Sequence, residues 1–285
     1  MNGFKEYHPI VNFVYFLFAI VCSCVFMHPF SIIVSLFSAI SYLILLKGFK
    51  ETKNTLCYIL GIILITGIIN PLFNHQGATI LLYFKNGNPF TLESLVYGFV
   101  SGGMLSSVIL WFMCYSEVFT SDKLIYLFGK TIPSLSLVFS MVLSMVPKFF
   151  KQLKKVINTR KCMGKNSGKI KNALTIISVM TTWAFENSLD TVSSMKARGY
   201  ALPKRTSFSI YKFTKRDVLC ILIILTLVVL VLISGITGKI YFNYFPTLKM
   251  SDSLISQAVL ALFYILPLTI ETREVLRWNA LKQKT

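Results

Sequence analysis

Six uncharged apolar runs punctuate the chain, at residues 10–27, 29–46, 55–73, 95–112, 218–235 and 254–270. Each holds about 17–20 residues, enough for a helix to cross a hydrocarbon core of roughly 30 Å. A seventh run, 124–146, is different: it contains Lys130, Pro133 and four serines, Ser134, Ser136, Ser140 and Ser144. A lysine near the centre of a span costs about 2.5–3.5 kcal/mol on insertion. This run therefore reads as helices lying at or under the membrane surface.

Beyond it the period changes to that of amphipathic helices. From Pro133, apolar residues recur at Leu135, Val138, Phe139, Val142, Met145, Val146, Phe149, Leu153, Val156 and Ile157. That stripe predicts a helix over 133–163, about 46 Å long, kinked at Pro147 and strongly basic in its second half. A second long helix is predicted over 171–198, with Ala173, Ile177, Met180 and Ala184 on one face and Ile176 and Trp183 beside them. Gly199 suits its C′ position, and Pro203 marks the stop. Both helices end in glycine, at Gly164 after Arg160-Lys161-Cys162-Met163 and at Gly199 after Lys196-Ala197-Arg198. The expectation is a docking platform of two apolar-faced helices with parallel basic tips.

Composition supports the membrane reading. Of 285 residues, 54% are hydrophobic and 14% charged, with a mean hydropathy of +0.66, too apolar for an ordinary soluble domain. The net charge of +18 would suit nucleic acid if spread over a surface, but +14 of it falls within residues 147–216, where only Glu186 and Asp190 are acidic. A basic block beside spans marks the cytoplasmic side and favours anionic headgroups, so nucleic acid is not an expected partner.

Span parity then fixes a topology. If 124–146 crossed, the loop bearing Lys47, Lys50 and Lys53 would fall outside, against the positive-inside bias. With four spans before the basic block, both termini and that loop share the cytoplasm with it. The organisation expected is a four-span region (1–118), a cytoplasmic coupling-helix region (119–216) and a two-span region with a basic tail (217–285). The fold class is all-α: a polytopic membrane protein of about six spans plus long cytoplasmic helices.

Candidate chemistry narrows the picture further. Cysteines 22, 24, 57, 114, 162 and 220 form no Cys-x-x-Cys pair and read as small hydrophobes. His8, His28 and His75 stand apart, without a His-Glu-x-x-His pattern, and no Gly-x-x-x-x-Gly-Lys-[Ser/Thr] loop occurs, so no metal, nucleotide or other cofactor is expected. The span interiors lack Asp, Glu, Lys and Arg, which disfavours an ion-coupled carrier. Ser101-Gly102-Gly103 reads as a close helix-packing point, or as a place where a partner slides past.

Several stretches in order along nearly the whole chain resemble the transmembrane T component of energy-coupling factor transporters, ABC-type importers of vitamins and trace metals. His8-Pro9 and His28-Pro29 open the first two spans; PSLSLVFSMVLSMVPKF (133–149) resembles that family's first long coupling helix; ENSLDTVSSMKARGY (186–200) resembles the end of its second; KRTSFSIYKFTKRDVL (204–219) leads into the next span. The resemblance implies a non-catalytic subunit partnered by two ABC-type ATPases and a membrane-embedded substrate-binding S component. It implies ATPase docking by Ala197, Arg198 and Gly199, since each coupling helix of the family ends in Ala-Arg-Gly. At the first tip, aligning on Gly164 puts Cys162 and Met163 where Ala-Arg would stand, leaving Arg160 or Lys161 to supply the cation. A second departure is the additional final span. The alternatives are a self-contained secondary transporter or channel, and a membrane scaffold without a transport role.

Overall fold

The computed structural model describes residues 3–83, 89–164, 168–200, 211–237, 242–250 and 253–282. It is helical almost throughout and divides into two compact units, Met1–Lys123 with Tyr211–Thr285, and Leu124–Ile210.

The larger unit contains a 3-10 turn (Phe4–Glu6), α1 (Pro9–Val25), α2 (Pro29–Lys47), α3 (Phe49–Phe73), a hairpin of β1 (Ile80–Tyr83) and β2 (Pro89–Thr91), and α4 (Leu92–Val118). Helix α5 (Ser121–Thr131) begins at its edge; α6 (Pro133–Cys162) and α7 (Lys169–Ala197) belong to the other unit. The chain then returns through α8 (Lys215–Ile236), the short pair β3 (Phe242–Asn243) and β4 (Lys249–Met250), and α9 (Leu254–Lys282).

Helix starts follow local chemistry. Proline at N1 opens α1 and α2, where its missing N–H costs nothing. Thr214 and Asp217 form a reciprocal capping box on α8. The core of this unit is aromatic: Tyr15, Phe16, Tyr42, Trp111, Phe263 and Tyr264 are solvent-free. Trp111 stacks on Tyr264 at 6.1 Å and meets Phe16 edge-on at 6.2 Å. Its indole N–H donates to Ser35 Oγ at 2.9 Å, and Ser35 lies 2.6 Å from Ser107 Oγ, so α2 and α4 share a satisfied polar seam.

Close backbone approach joins α3 to α4. A Cβ on Gly98 would stand 3.0 Å from Thr66 O and 3.1 Å from Gly67 Cα, and one on Gly102 would stand 2.0 Å from Thr66 Oγ1. Gly103 faces Ile32 of α2. The glycines of 101–103 are thus filled by helix packing, the first of the two readings their sequence allowed.

Apolar side chains cover the outside: Val21 on α1, Ile33 and Phe37 on α2, Ile65 and Ile68 on α3, and Leu222, Val229 and Ile233 on α8 are all exposed. A surface of this kind belongs against lipid, and the chain is a multi-pass membrane protein. Among the described residues six helices are long and apolar enough to cross, but they are not the six expected. Ser134–Cys162 qualifies, whereas Pro9–Val25, at 17 residues, falls just short. Contacts nevertheless carry α1 through the bundle, since His8 at its start meets Asp217 and Phe26 after its end meets Gly235.

Candidate functional site

One face of the larger unit gathers every chain end and the connections to α5–α7. Glu271 near the end of α9 accepts the amides of Gly3 and Phe4, each at 3.2 Å. Asp217 at the start of α8 accepts the His8 amide at 3.0 Å, and Phe213 packs edge-on against the His8 ring. Lys47 at the end of α2 pairs with Glu117 at the end of α4 at 2.7 Å. Lys123, where the chain leaves the unit, donates to Lys5 O at 2.5 Å. With the Asn12 amide oriented to donate to Phe4 O, Asn12 Oδ1 accepts from the same ammonium at 2.8 Å. Tyr211, where the chain returns, hydrogen-bonds the Thr120 side chain. Exit and return therefore lie on one face of this unit. Helix α7 carries Lys171, Glu186, Asp190 and Lys196 and does not qualify as a span, whereas α6 does by length and composition.

Burial shapes the chemistry of this face. Desolvation, with the neighbouring Lys5 charge adding to it, lowers the Lys123 ammonium to about 8. Burial likewise raises the Tyr7 and Tyr211 phenols.

The smaller unit is built on a helical hairpin. Covered positions on α6 (Met145, Phe149, Gln152, Val156, Arg160) and on α7 (Asn172, Ile176, Met180, Trp183, Asn187) run in mirrored register about the connection. Phe149 and Trp183 meet mid-way, ring centroids 6.1 Å apart. The two helices are antiparallel, and α7 is about 44 Å long at 1.5 Å per residue. The tips at Gly164 and Gly199 consequently stand at opposite ends of the hairpin; the parallel tips expected from sequence are not formed. A connection of six residues between Cys162 and Lys169 dictates this, because it is too short to carry the chain back alongside α6.

Each tip is finished in the same way. At the second, Gly199 takes φ +76°, its amide bonds Lys196 O at 3.0 Å, and the Tyr200 amide reaches back to Met195 O at 3.0 Å. This is a full Schellman closure. At the first, Gly164 takes φ +65° and its amide bonds Lys161 O at 3.2 Å. Nothing lies within 4 Å of a Cβ built on Gly164, so the backbone conformation alone asks for glycine there. Ala197 and Arg198 are exposed, and the Arg198 guanidinium makes no hydrogen bond or ion pair among the described residues. Lys161, Cys162, Met163 and Gly164 are exposed, while Arg160 is half-covered on the hairpin seam. Lys161 is thus the freer cation of the first tip. Pro203, Lys204 and Arg205 lie outside the described residues.

Two apolar stripes stay uncovered, and they include Leu135, Val138, Val142, Val146 and Ile177 of the faces predicted from sequence. On α7 a second apolar stripe, Ile170, Leu174, Ile177, Phe185, Leu189 and Val192, is uncovered along its length. On α6 Leu135, Val138, Val142, Val146 and Phe150 are uncovered too. Both stripes have helical spacing and were visible in principle; which apolar face the hairpin would consume was not. Among the described residues no three His, Cys, Asp or Glu side chains cluster to hold a metal ion. His8 instead caps α1 through the Ile10 amide, and His28 meets Gln257 Nε2 at 3.3 Å.

No family model matches the sequence. The chain is similar to Uncharacterized protein MG181 of Mycoplasma genitalium, with 24% identity over 170 residues. The match covers 54% of this chain and 40% of that protein, so the chain spans well under half of the relative's length.

Proposed function

We propose that this protein is the membrane scaffold and coupling subunit of an energy-coupling-factor-type ABC importer, taking up a vitamin, metal ion or similar micronutrient. The face that gathers the chain ends is then cytoplasmic. The observation that carries the proposal is the pair of glycine-closed tips at opposite ends of one long hairpin, the second presenting an exposed Arg198. Two separated tips suit two ATPase subunits, one at each end. The positive-inside bias supports the orientation: by sequence the stretches 74–91 and 237–253 hold three lysines, Lys85, Lys239 and Lys249, against sixteen Lys and Arg in 147–216.

ATP-driven closure of the ATPases moves the tips, and the hairpin transmits that motion to the S component along its uncovered apolar stripes. Work is done only through contacts that differ between the two states. Arginine suits the docking role because its planar fork makes paired hydrogen bonds to carboxylates or carbonyls. Loss of a desolvated charge partner at an interface costs about 2–5 kcal/mol. Arg198→Glu should therefore abolish co-purification of the ATPases while leaving membrane insertion intact; an unchanged yield of complex would sink the docking assignment.

A further inference from the structure

On the face of the larger unit opposite the chain ends, the connection between α3 and α4 is fastened at its base and apolar along its first strand. The Thr79 amide donates to both carboxylate oxygens of buried Glu93, at 3.1 and 3.3 Å. Thr91 Oγ1 donates to Gln76 O at 2.8 Å, Ser94 Oγ donates to Asn74 O, and the Ala78 amide donates to Pro246 O at 3.1 Å. The hairpin rising from this base pairs Ile80 with Thr91, Leu82 with Phe90 and Tyr83 with Pro89.

A strand packed on a protein core alternates, with one side covered and the other polar. β1 does neither. Ile80, Leu81, Leu82 and Tyr83 are 45%, 51%, 69% and 69% exposed, so both of its sides are apolar and both are open. Its position explains what covers it. Helix α3 is uncharged from Asn54 to Phe73, twenty residues or about 30 Å, so the hydrocarbon layer ends close to Phe73. The exposed stripe Ile65, Ile68, Leu72 and Phe73 leads up to that level, and the hairpin springs from it seven residues later. The apolar strand continues the lipid-facing surface of α3.

We infer that strand β1 is a membrane-interface anchor, seated at the headgroup–acyl boundary of the leaflet opposite the chain termini. Its occupant is the lipid surface, with Tyr83 an amphipathic ring of the kind that settles at that depth. The bonds to Glu93 hold the strand at a fixed height while lipid covers both of its sides.

The test is a depth measurement on the full-length protein in phosphatidylethanolamine–phosphatidylglycerol vesicles. Leu82→Cys, in a background lacking the exposed Cys24, Cys57 and Cys162, is spin-labelled, and collision with oxygen is compared with collision with a water-soluble nickel chelate. Phe73→Cys and Lys50→Cys supply the lipid and water references. Expected is an oxygen preference at Leu82 between the two references. A nickel accessibility equal to that at Lys50 would overturn the anchor, and so would shielding from both reagents, which would mean a protein partner there instead. Glu93→Gln, labelled at Leu82, should shift the label toward the water reference; an unchanged depth would refute the part given to Glu93.

Discussion

Replacing Gly98 by alanine should weaken the α3–α4 junction, and the size of the loss follows from what surrounds it. The new Cβ would stand 2.9 Å from Asn70 Cβ, 3.0 Å from Thr66 O and 3.1 Å from Gly67 Cα. Two of these three atoms are backbone, so α3 itself must shift. Overpacking of that kind costs about 1–3 kcal/mol. Alanine also gains about 1 kcal/mol in helix propensity, and Gly61→Ala serves as a reference for this term. Gly61 lies in α3, and nothing stands within 4 Å of a Cβ built there. The difference between the variants isolates the packing cost. In detergent micelles, followed by circular dichroism, Gly98→Ala should melt roughly 2–12 °C below Gly61→Ala, at about 2–4 °C per kcal/mol. Gly102→Ala provides an internal check, because its nearest obstacle is the Thr66 hydroxyl, with Ile63 Cα next at 3.1 Å. Thr66→Ala should therefore relieve Gly102→Ala in part and leave Gly98→Ala unrelieved. Equal melting of Gly98→Ala and Gly61→Ala would refute the close-approach reasoning.

Three other outcomes are expected. Lys123 titrates near 8 when folded against an ordinary 10.5, so the unfolded chain binds more protons between those values and stability should rise as pH climbs from about 8 to 10.5. A thermal-shift series should show this rise, and Lys123→Met should flatten it. Glu271→Gln replaces one of the two oxygens that accept the Gly3 and Phe4 amides by an NH2 donor, at a cost of about 1–3 kcal/mol for the amide left without an acceptor. Trypsin should then cut after Lys5 faster than in the parent. Gly199→Ala forces a left-handed conformation on an L-residue for about 1–2 kcal/mol, so the Tyr200 amide, bonded to Met195 O, should exchange hydrogen roughly five- to thirty-fold faster.

Much of the fold was legible because lipid and water leave separate signatures in sequence. Uncharged runs located α2, α3, α4, α8 and α9, and the prolines at positions 9 and 29 marked two helix starts. The closing glycines were legible as well, since few other residues accept φ near +70°. Three things were not. Length and apolarity alone do not separate α1 from α6: one qualifies as a span and the other misses by a residue, and only contacts at the far ends show which one threads the bundle. The opposed tips depend on the antiparallel sense of the hairpin, which follows from the short connection of Cys162 to Lys169 acting on two long helices rather than from either helix's own pattern. The ties of Lys123, Asp217 and Glu271 to residues 3–12 join positions more than 100 residues apart, beyond the reach of any local period. The Thr214–Asp217 capping box, by contrast, was open to reading as a Thr-x-x-Asp start signal.

The coupling role is tested most directly by the composition of the complex this protein forms. Isolation from native membranes in mild detergent, by a tag on the full-length chain and with mass-spectrometric identification, should yield two ABC-type ATPase subunits and a small membrane protein in stoichiometric amounts. Isolation of the chain without any ATPase, together with solute transport by the chain alone in proteoliposomes, would contradict it.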